Sequence, residues 1–528
     1  MCKSSLAILF LWLSAITLPA QTTIDAVPAP SAKDFTGILS FLSSDWMEGR
    51  EAGARGGFMA ADYIASLMRM NGLLPYGDAV KADEQGFYAG VKSSYFQNFQ
   101  MIRSRVENSS IAIIRRYQQG ESALLLNPGI DFKTDVPLHS LEAESPVVFA
   151  GYGIETPGKE YNDYAGIDVK GLIIVILDGF PGHADTTSQA WKKLGHGSGQ
   201  EIPGLSDKLR IAKKHGAIAV IYLDKDVLNN SEDSLKPAGP FDNDPEYYLP
   251  GDTSMTDIPC VRLKSGATRL LFRDTGIDLP GFEKKAALYL ESASAPLKDK
   301  IVRLSVEVRS EVLTIRNVLG MIRGSDTTRN IIVGAHYDHL GIRNGLVFNG
   351  ADDNASGVAG MLSLAGHWAG HNEKPACNII FAAWTAEEKG LLGSEFFARH
   401  SRLVPGGISL VINLDMISGS APEDTARQVI SIGTLPVNEV LRKLAGKDNA
   451  QLEHPFTLDL WDVTGHSGSD YGPFASRKIP VMTFFSGFTD DYHTPRDVAG
   501  KSDPGKMEKI LKIVNSLIGE TCVNPPDR

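Results

Sequence analysis

From about residue 300 to the end of the chain, short apolar β-branched runs alternate with helical patterns. The runs are 303–309, 315–322, IIVGAH (331–336), IIFAAWT (379–385), LVINLDMI (410–417), VISIG (429–433) and IPVMTFF (479–485). Helical spacing of apolar residues falls between them, over Gly357 to Trp368, Leu391 to His400, Val437 to Leu444 and Lys506 to Ile518. Strands that are apolar throughout must be covered on both faces, so this section predicts an α/β domain with helices on either side of a sheet. Functional groups in such sheets gather beyond the carboxyl ends of the strands.

At 528 residues and 43% hydrophobic, the chain is too long for one ordinary domain, which predicts two. Residues 34–72 carry helical patterns separated by the glycine-rich stretch GREAGARGG (49–57). That stretch lacks the Lys-Ser/Thr ending of a phosphate loop and reads as a turn. Near Pro146 the pattern changes to short β-type runs, VVFAGYGI (147–154), LIIVILDG (172–179) and, after a helix, GAIAVIYL (216–223). Long polar loops at 180–205 and 228–256 are unusual inside one compact unit, so a second domain is expected over 126–295. The first domain then consists of 34–125 and 296–522.

The first twenty residues differ from the rest. Lys3 precedes the apolar run Leu6 to Thr17, and Leu18-Pro19-Ala20 before Gln21 has the character of a cleavage site. Residues 1–20 therefore read as a secretory signal peptide. The run is shorter than the roughly 18 apolar residues needed to span a bilayer. Residues 21–33 form a Pro- and Ala-rich flexible leader, and the expected destination is periplasmic or secreted without membrane insertion. Beyond the leader there remain Cys260, Cys377 and Cys522, which allow one disulfide at most. Cys377, opening an apolar run, is expected to be a small buried residue. The formal charge of −11 leaves no basic face for nucleic acid.

Five residues of metal-ligand type sit in separate short motifs at or after strand ends. They are His336 in GAHYDHLG, an aspartate of NGADDNASG, Glu388 in TAEEKGLLGS, Asp415 in INLDMIS and His493 in DYHTPRD. Two imidazoles and three carboxylates suit a pair of zinc ions if one carboxylate bridges them. The residues alone leave the bridging role open between Asp352 and Asp353, one of which would instead start the helix at Gly357. Asp338, two residues after His336 along an extended segment, is placed to accept the second ring N–H of that histidine. Glu387 and Glu388 point in different directions, so one ligates while the other, Glu387, faces substrate and moves protons. Asp415 ends a buried strand, where an unpaired carboxylate is costly. Tyr492 beside His493 offers a hydroxyl to a tetrahedral oxyanion.

Taken in order and spacing, HYD, GADDNASG, AEEKGLLGS, NLDMI and HTPRD resemble the co-catalytic di-zinc aminopeptidase and glutamate carboxypeptidase family. That resemblance covers about 300–520 and, more weakly, 34–125. It implies a zinc-peptidase fold with a mixed central sheet flanked by helices. It favours Asp353 over Asp352, with one zinc held by Asp353, Glu388 and His493 and the other by Asp353, His336 and Asp415. Glu387 takes the place of the family's general base, and a non-proline cis peptide is implied after Asp353. The middle section resembles an inserted β-rich protease-associated (PA) domain, judged from GYGI, YNDYAGIDVKG and GAIAVIYL. The implied activity is hydrolysis of N-terminal residues from peptides. The alternatives are a carboxypeptidase, which would need an arginine or lysine clamp such as Arg496 or Arg343, a one-zinc glutaminyl cyclase, and a non-catalytic receptor-like relative.

Overall fold

The computed structural model describes residues 27–79, 93–156, 161–194, 203–224, 245–252, 258–464 and 468–526. The expected signal peptide, residues 21–26 of the leader and parts of the long loops at 180–205 and 228–256 lie outside the described residues.

Six strands of the carboxyl-terminal section lie side by side in the order Thr457–Asp462, Val429–Thr434, Val481–Phe485, Ile408–Leu414, Asp326–His336 and Cys377–Trp384. Asp326–His336 runs parallel to both of its neighbours, and Ile408–Leu414 runs parallel to Val481–Phe485. Val429–Thr434 meets Val481–Phe485 antiparallel, so the sheet is mixed. Alternation along a strand sends Ile331, Val333 and Ala335 to one apolar cluster and Ile332 to another. The first cluster is closed by helices Ala32–Leu42, Arg55–Met70, Gly357–Gly370 and Pro504–Val523, which contribute Phe35, Ile64, Met361 and Leu511. The second is closed by Phe397 and Phe474. Burial on both faces is why these strands read as unbroken apolar runs.

Two long antiparallel strands, Phe96–Tyr117 and Ala295–Ile322, continue the sheet into the middle section. The runs expected at 303–309 and 315–322 are one strand, and Phe96–Tyr117 is a strand where no element was expected. A separate apolar core takes Ile111 and Ile113 from one long strand and Val302 and Leu304 from the other. The two cores therefore both draw on these long strands. Beyond it, Leu141–Phe149, Ile173–Leu177, Ala219–Leu223 and Cys260–Leu263 pair in parallel. Helices Leu205–Lys214, Ser265–Phe272 and Leu279–Tyr289 accompany them, so the middle section is α/β in character as well as strand-rich.

Cys377 is not a lone buried thiol. It opens its strand and is joined by a disulfide to Cys522 in the last helix, across a sequence separation of 145. Cys260 is buried and free. No described helix is long and apolar enough to cross a membrane.

Candidate metal centre

Four adjacent parallel strands end at one edge of the sheet, and the candidate ligands are gathered there. His336 is the last residue of its strand, Asp415 follows Leu414, Glu387 and Glu388 follow Trp384, and His493 lies in the loop after Phe485. Asp353 comes from the turn Ala351–Ser356 that leads into helix Gly357–Gly370. The main-chain N–H groups of Asp352 and Asp353 donate to the two oxygens of Asp497 at 2.9 and 3.1 Å. Asn354 donates to Leu414 O and accepts from Met416 N, which ties the turn to the strand end that carries Asp415. The peptide between Asp353 and Asn354 is cis.

The ligand atoms form two groups. His336 Nε2 lies 3.2 Å from Asp415 Oδ1 and 3.3 Å from Asp353 Oδ1. His493 Nε2 lies 3.1 Å from Asp353 Oδ2 and 3.3 Å from Glu388 Oε2. Donor atoms each about 2.0–2.1 Å from one tetrahedral zinc stand roughly 3.3 Å apart, so both groups have the spacing of ligand edges. Asp353 offers a different oxygen to each group. Asp352 turns away, its Oδ1 accepting from Ser418 N, Ser418 Oγ and Gly419 N. It does not cap the helix, since Gly357 N donates to Asn354 Oδ1 instead.

The charges of the cluster call for positive charge at its centre. Burial works to raise the Asp353 carboxyl, but the imidazoles of His339, His336 and His493 outweigh it and hold it well below the usual carboxylate range. Burial likewise works to deprotonate His336 and His493, yet the facing carboxylates push both imidazoles up, His493 to about 10. His493 Nε2 is buried with no hydrogen-bond partner. Protons thus collect where divalent cations would be held, and the donor set fits zinc.

Glu387 and Glu388 face different surroundings. Glu387 lines a cavity of about 210 Å³ together with His336, Asp353 and Asp415, while Glu388 faces His493 and His339. Burial, with Glu388, Asp415 and Asp470 nearby, pushes the Glu387 carboxyl well above its usual value against the pull of His336. Met416, Trp461, Tyr471, Phe485, Phe488 and Tyr492 form much of the remaining wall. Tyr492 also stacks on the His493 ring, with centroids 3.8 Å apart.

Asp338 departs from expectation. His336 Nδ1 meets the main-chain carbonyl of Asp338 at 3.1 Å, whereas the Asp338 carboxylate is 3.9 Å away. That carboxylate accepts from Glu387 N at 3.1 Å. The strand ends at His336, so the alternation that would put residues 336 and 338 on one face no longer applies.

Two further residues escape the motif reading. Arg50, from the glycine-rich stretch taken as a turn, is wholly buried beneath the site and donates to the carbonyls of Leu42, Tyr337, Asn349 and Gly350. His339, within GAHYDHLG itself, is equally buried and lies 2.8 Å from Glu388 Oε1. A polar residue three positions from a ligand was the available signal for His339; nothing local distinguished Arg50.

Two three-membered groups at the strand ends of an α/β sheet, His336 with Asp353 and Asp415 and His339 with Asp353 and Glu388, with His493 beside the second, define a metallohydrolase. Residues 317–518 match the model of peptidase family M28. The chain is 35% identical over 221 residues to a glutamate carboxypeptidase 2 homolog from Caenorhabditis elegans, covering 35% of this chain and 26% of that protein. It is 27% identical over 222 residues to the probable lipoprotein aminopeptidase LpqL of Mycobacterium tuberculosis, covering 40% and 42%. The matches thus span less than half the length of these curated relatives. The aminopeptidase from Aneurinibacillus sp. strain AM-1 superposes with a TM-score of 0.57 at 20% identity over 92% of this chain and 93% of its own, which shows a shared fold.

Proposed function

We propose that the chain is an exported aminopeptidase that uses two zinc ions. The observation that carries this reading is the division of the Asp353 oxygens between two ligand groups, with Glu387 on the wall of the same cavity. His336, Asp353 and Asp415 would hold one ion and Asp353, Glu388 and His493 the other. When bound, the ions supply Lewis acidity to the attacking water and the scissile carbonyl. Glu387 takes a proton from that water and passes it to the leaving nitrogen. Tyr492 stands on the cavity wall as a donor to the carbonyl oxygen.

The preference for a free amino terminus follows from charge. Among the described residues the cavity wall holds carboxylates and aromatic rings but no arginine or lysine. The two candidate clamps for a terminal carboxylate are engaged elsewhere, Arg496 with Asp491 at 2.8 Å and Arg343 with Glu51 at 2.9 Å. Two ligand groups, not one, also disfavour the cyclase reading. For residues 126–295, we retain the PA-type reading as a role in bordering the cleft. The Cys377–Cys522 disulfide supports a periplasmic or extracellular location, because such bonds persist in oxidising compartments.

The test pairs unblocked with amino-acetylated peptides, and wild type with Glu387→Gln. Expected results are release of the first residue from unblocked peptides only, and roughly a 10²–10⁴-fold lower turnover in the variant with metal content unchanged. Undiminished turnover in Glu387→Gln would remove it from proton transfer. Cleavage at the carboxyl end of acetylated peptides would establish the carboxypeptidase reading instead.

A further inference from the structure

Every contact among the five proposed ligands has the spacing of a ligand edge, 3.1 to 3.3 Å. The contact between His339 Nδ1 and Glu388 Oε1 is different. At 2.8 Å it is a hydrogen bond, while the same nitrogen stands 3.7 Å from Asp353 Oδ2. The distances therefore place His339 behind a ligand and not among them.

The ring has no other polar task. Its Nε2 is buried without a hydrogen-bond partner, so the pocket accommodates a single ring N–H, on Nδ1. The ring packs flat against the chain at Gly350, where an added Cβ would come within 2.5 Å of His339 Cγ. Gly350 has φ +53, and its carbonyl is held by Arg50. On the other side the His493 ring meets it edge-on, with centroids 5.7 Å apart. The imidazole is thus clamped between a fixed turn and a proposed ligand, with one donor aimed at one carboxylate oxygen.

We infer that His339 is a positioning residue that ties up Glu388 Oε1 through Nδ1–H and leaves Oε2 as the single oxygen Glu388 presents beside His493. This rests on the two-metal reading above and adds to it a residue outside the ligand set. A carboxylate fixed in this way cannot swing to chelate with both oxygens, and its ligating oxygen keeps its place when the cavity is opened to substrate. Its hydrogen bond is to Glu388, with the shared Asp353 farther off at 3.7 Å, so its influence falls mainly on the ion beside Glu388 and His493.

The experiment measures zinc binding at equilibrium in the full chain, by competition with a chromophoric chelator. Cobalt absorption spectra give a second readout of the coordination environment, independent of activity. His339→Leu removes the donor; His339→Asn places an amide N–H where Nδ1 was; His339→Gln places it where Nε2 was. Wild type is expected to bind two ions. In His339→Leu and His339→Gln one ion should bind roughly 10–100-fold more weakly and the other should change far less, with an altered cobalt spectrum. His339→Asn should stay within a few-fold of wild type. If His339→Leu fails to fold, the Asn and Gln variants carry the comparison alone.

Two wild-type affinities retained in His339→Leu or His339→Gln would overturn the inference. So would equal weakening of both ions, or His339→Asn binding as poorly as His339→Gln. Fewer than two ions in the wild type would instead overturn the two-metal reading, whatever His339 does.

Discussion

Replacing Arg50 by methionine tests how the site is supported. The guanidinium is fully buried and makes four hydrogen bonds of 2.6 to 2.8 Å, to the carbonyls of Tyr337, Leu42, Asn349 and Gly350. Burial lowers its pKa to about 10 against the field of Asp353, Asp497, Asp338 and Glu388, so it remains a cation at neutral pH. Methionine fills much of the volume but leaves the carbonyls of Leu42, Tyr337 and Asn349 unpaired, while that of Gly350 keeps Ala355 N as a donor. At about 1 kcal/mol each, the low end for orphaned groups because water can follow into the vacated space, the loss is about 3 kcal/mol. Lysine in the same place recovers only part of this, since an ammonium cannot span carbonyls that its planar, forked predecessor reached in several directions. The charge adds a second signature. Without bound cations the four carboxylates lose their buried counter-charge; with cations bound, the compensation is already present. The destabilisation is therefore larger in chelator than in zinc. Urea unfolding of Arg50→Met, Arg50→Lys and wild type, each with zinc and with chelator, measures both effects. A loss below about 1 kcal/mol, or a larger loss in zinc than in chelator, refutes the reasoning.

Two further outcomes are expected. Replacing both Cys377 and Cys522 by serine opens a loop closed across 145 positions and should cost up to about 5 kcal/mol on the chain-entropy estimate; an unchanged melting temperature for the wild type after reduction would contradict it. Lys208, buried with its ammonium on the carbonyls of Leu177 and Gly179, has its pKa lowered to about 8 by burial. The folded chain then binds fewer protons than the unfolded chain between about pH 8 and 10.5, so this group makes the protein more stable as pH rises through that window. The whole effect is about 3 kcal/mol. Stability of wild type relative to Lys208→Met should rise over that range, and a flat or falling difference would show that the lysine keeps its ordinary affinity for protons.

The parts of the fold legible in the sequence are those whose signal is local. The strands ending at His336, Trp384 and Leu414 are buried on both faces, and burial on both faces demands an apolar side chain at every position. Phe96–Tyr117 gave no such signal, because from Arg105 to Ser110 it pairs only with Ala295–Ile322, and that stretch is faced by water and ion pairs such as Arg105 with Glu107. Polar residues there fall on both faces, and the period of two is lost. The disulfide was hidden for a different reason: spacing along the chain does not bring Cys377 and Cys522 together, whereas packing the last helix on the sheet does.

The site divides along the same line. Each proposed ligand lies in a short motif because its backbone must turn sharply at a strand end, and such turns need particular neighbours, as Gly350 and Asn354 show. What holds the ligands comes from elsewhere. Arg50 reaches carbonyls 287 to 300 positions away, Asp497 supports Asp353 from 144 positions away, and His339 meets Glu388 across 49. None of these supports has a spacing that chemistry dictates, so a motif cannot encode them. Asp338 shows the same limit at short range: its separation from His336 was right for a hydrogen bond in an extended chain, and the end of the strand moved its carboxylate to Glu387 N instead. The proposed ligands can therefore be picked out in the sequence, while the geometry that selects which oxygen of Glu388 or Asp353 would face an ion depends on contacts that only the folded chain makes.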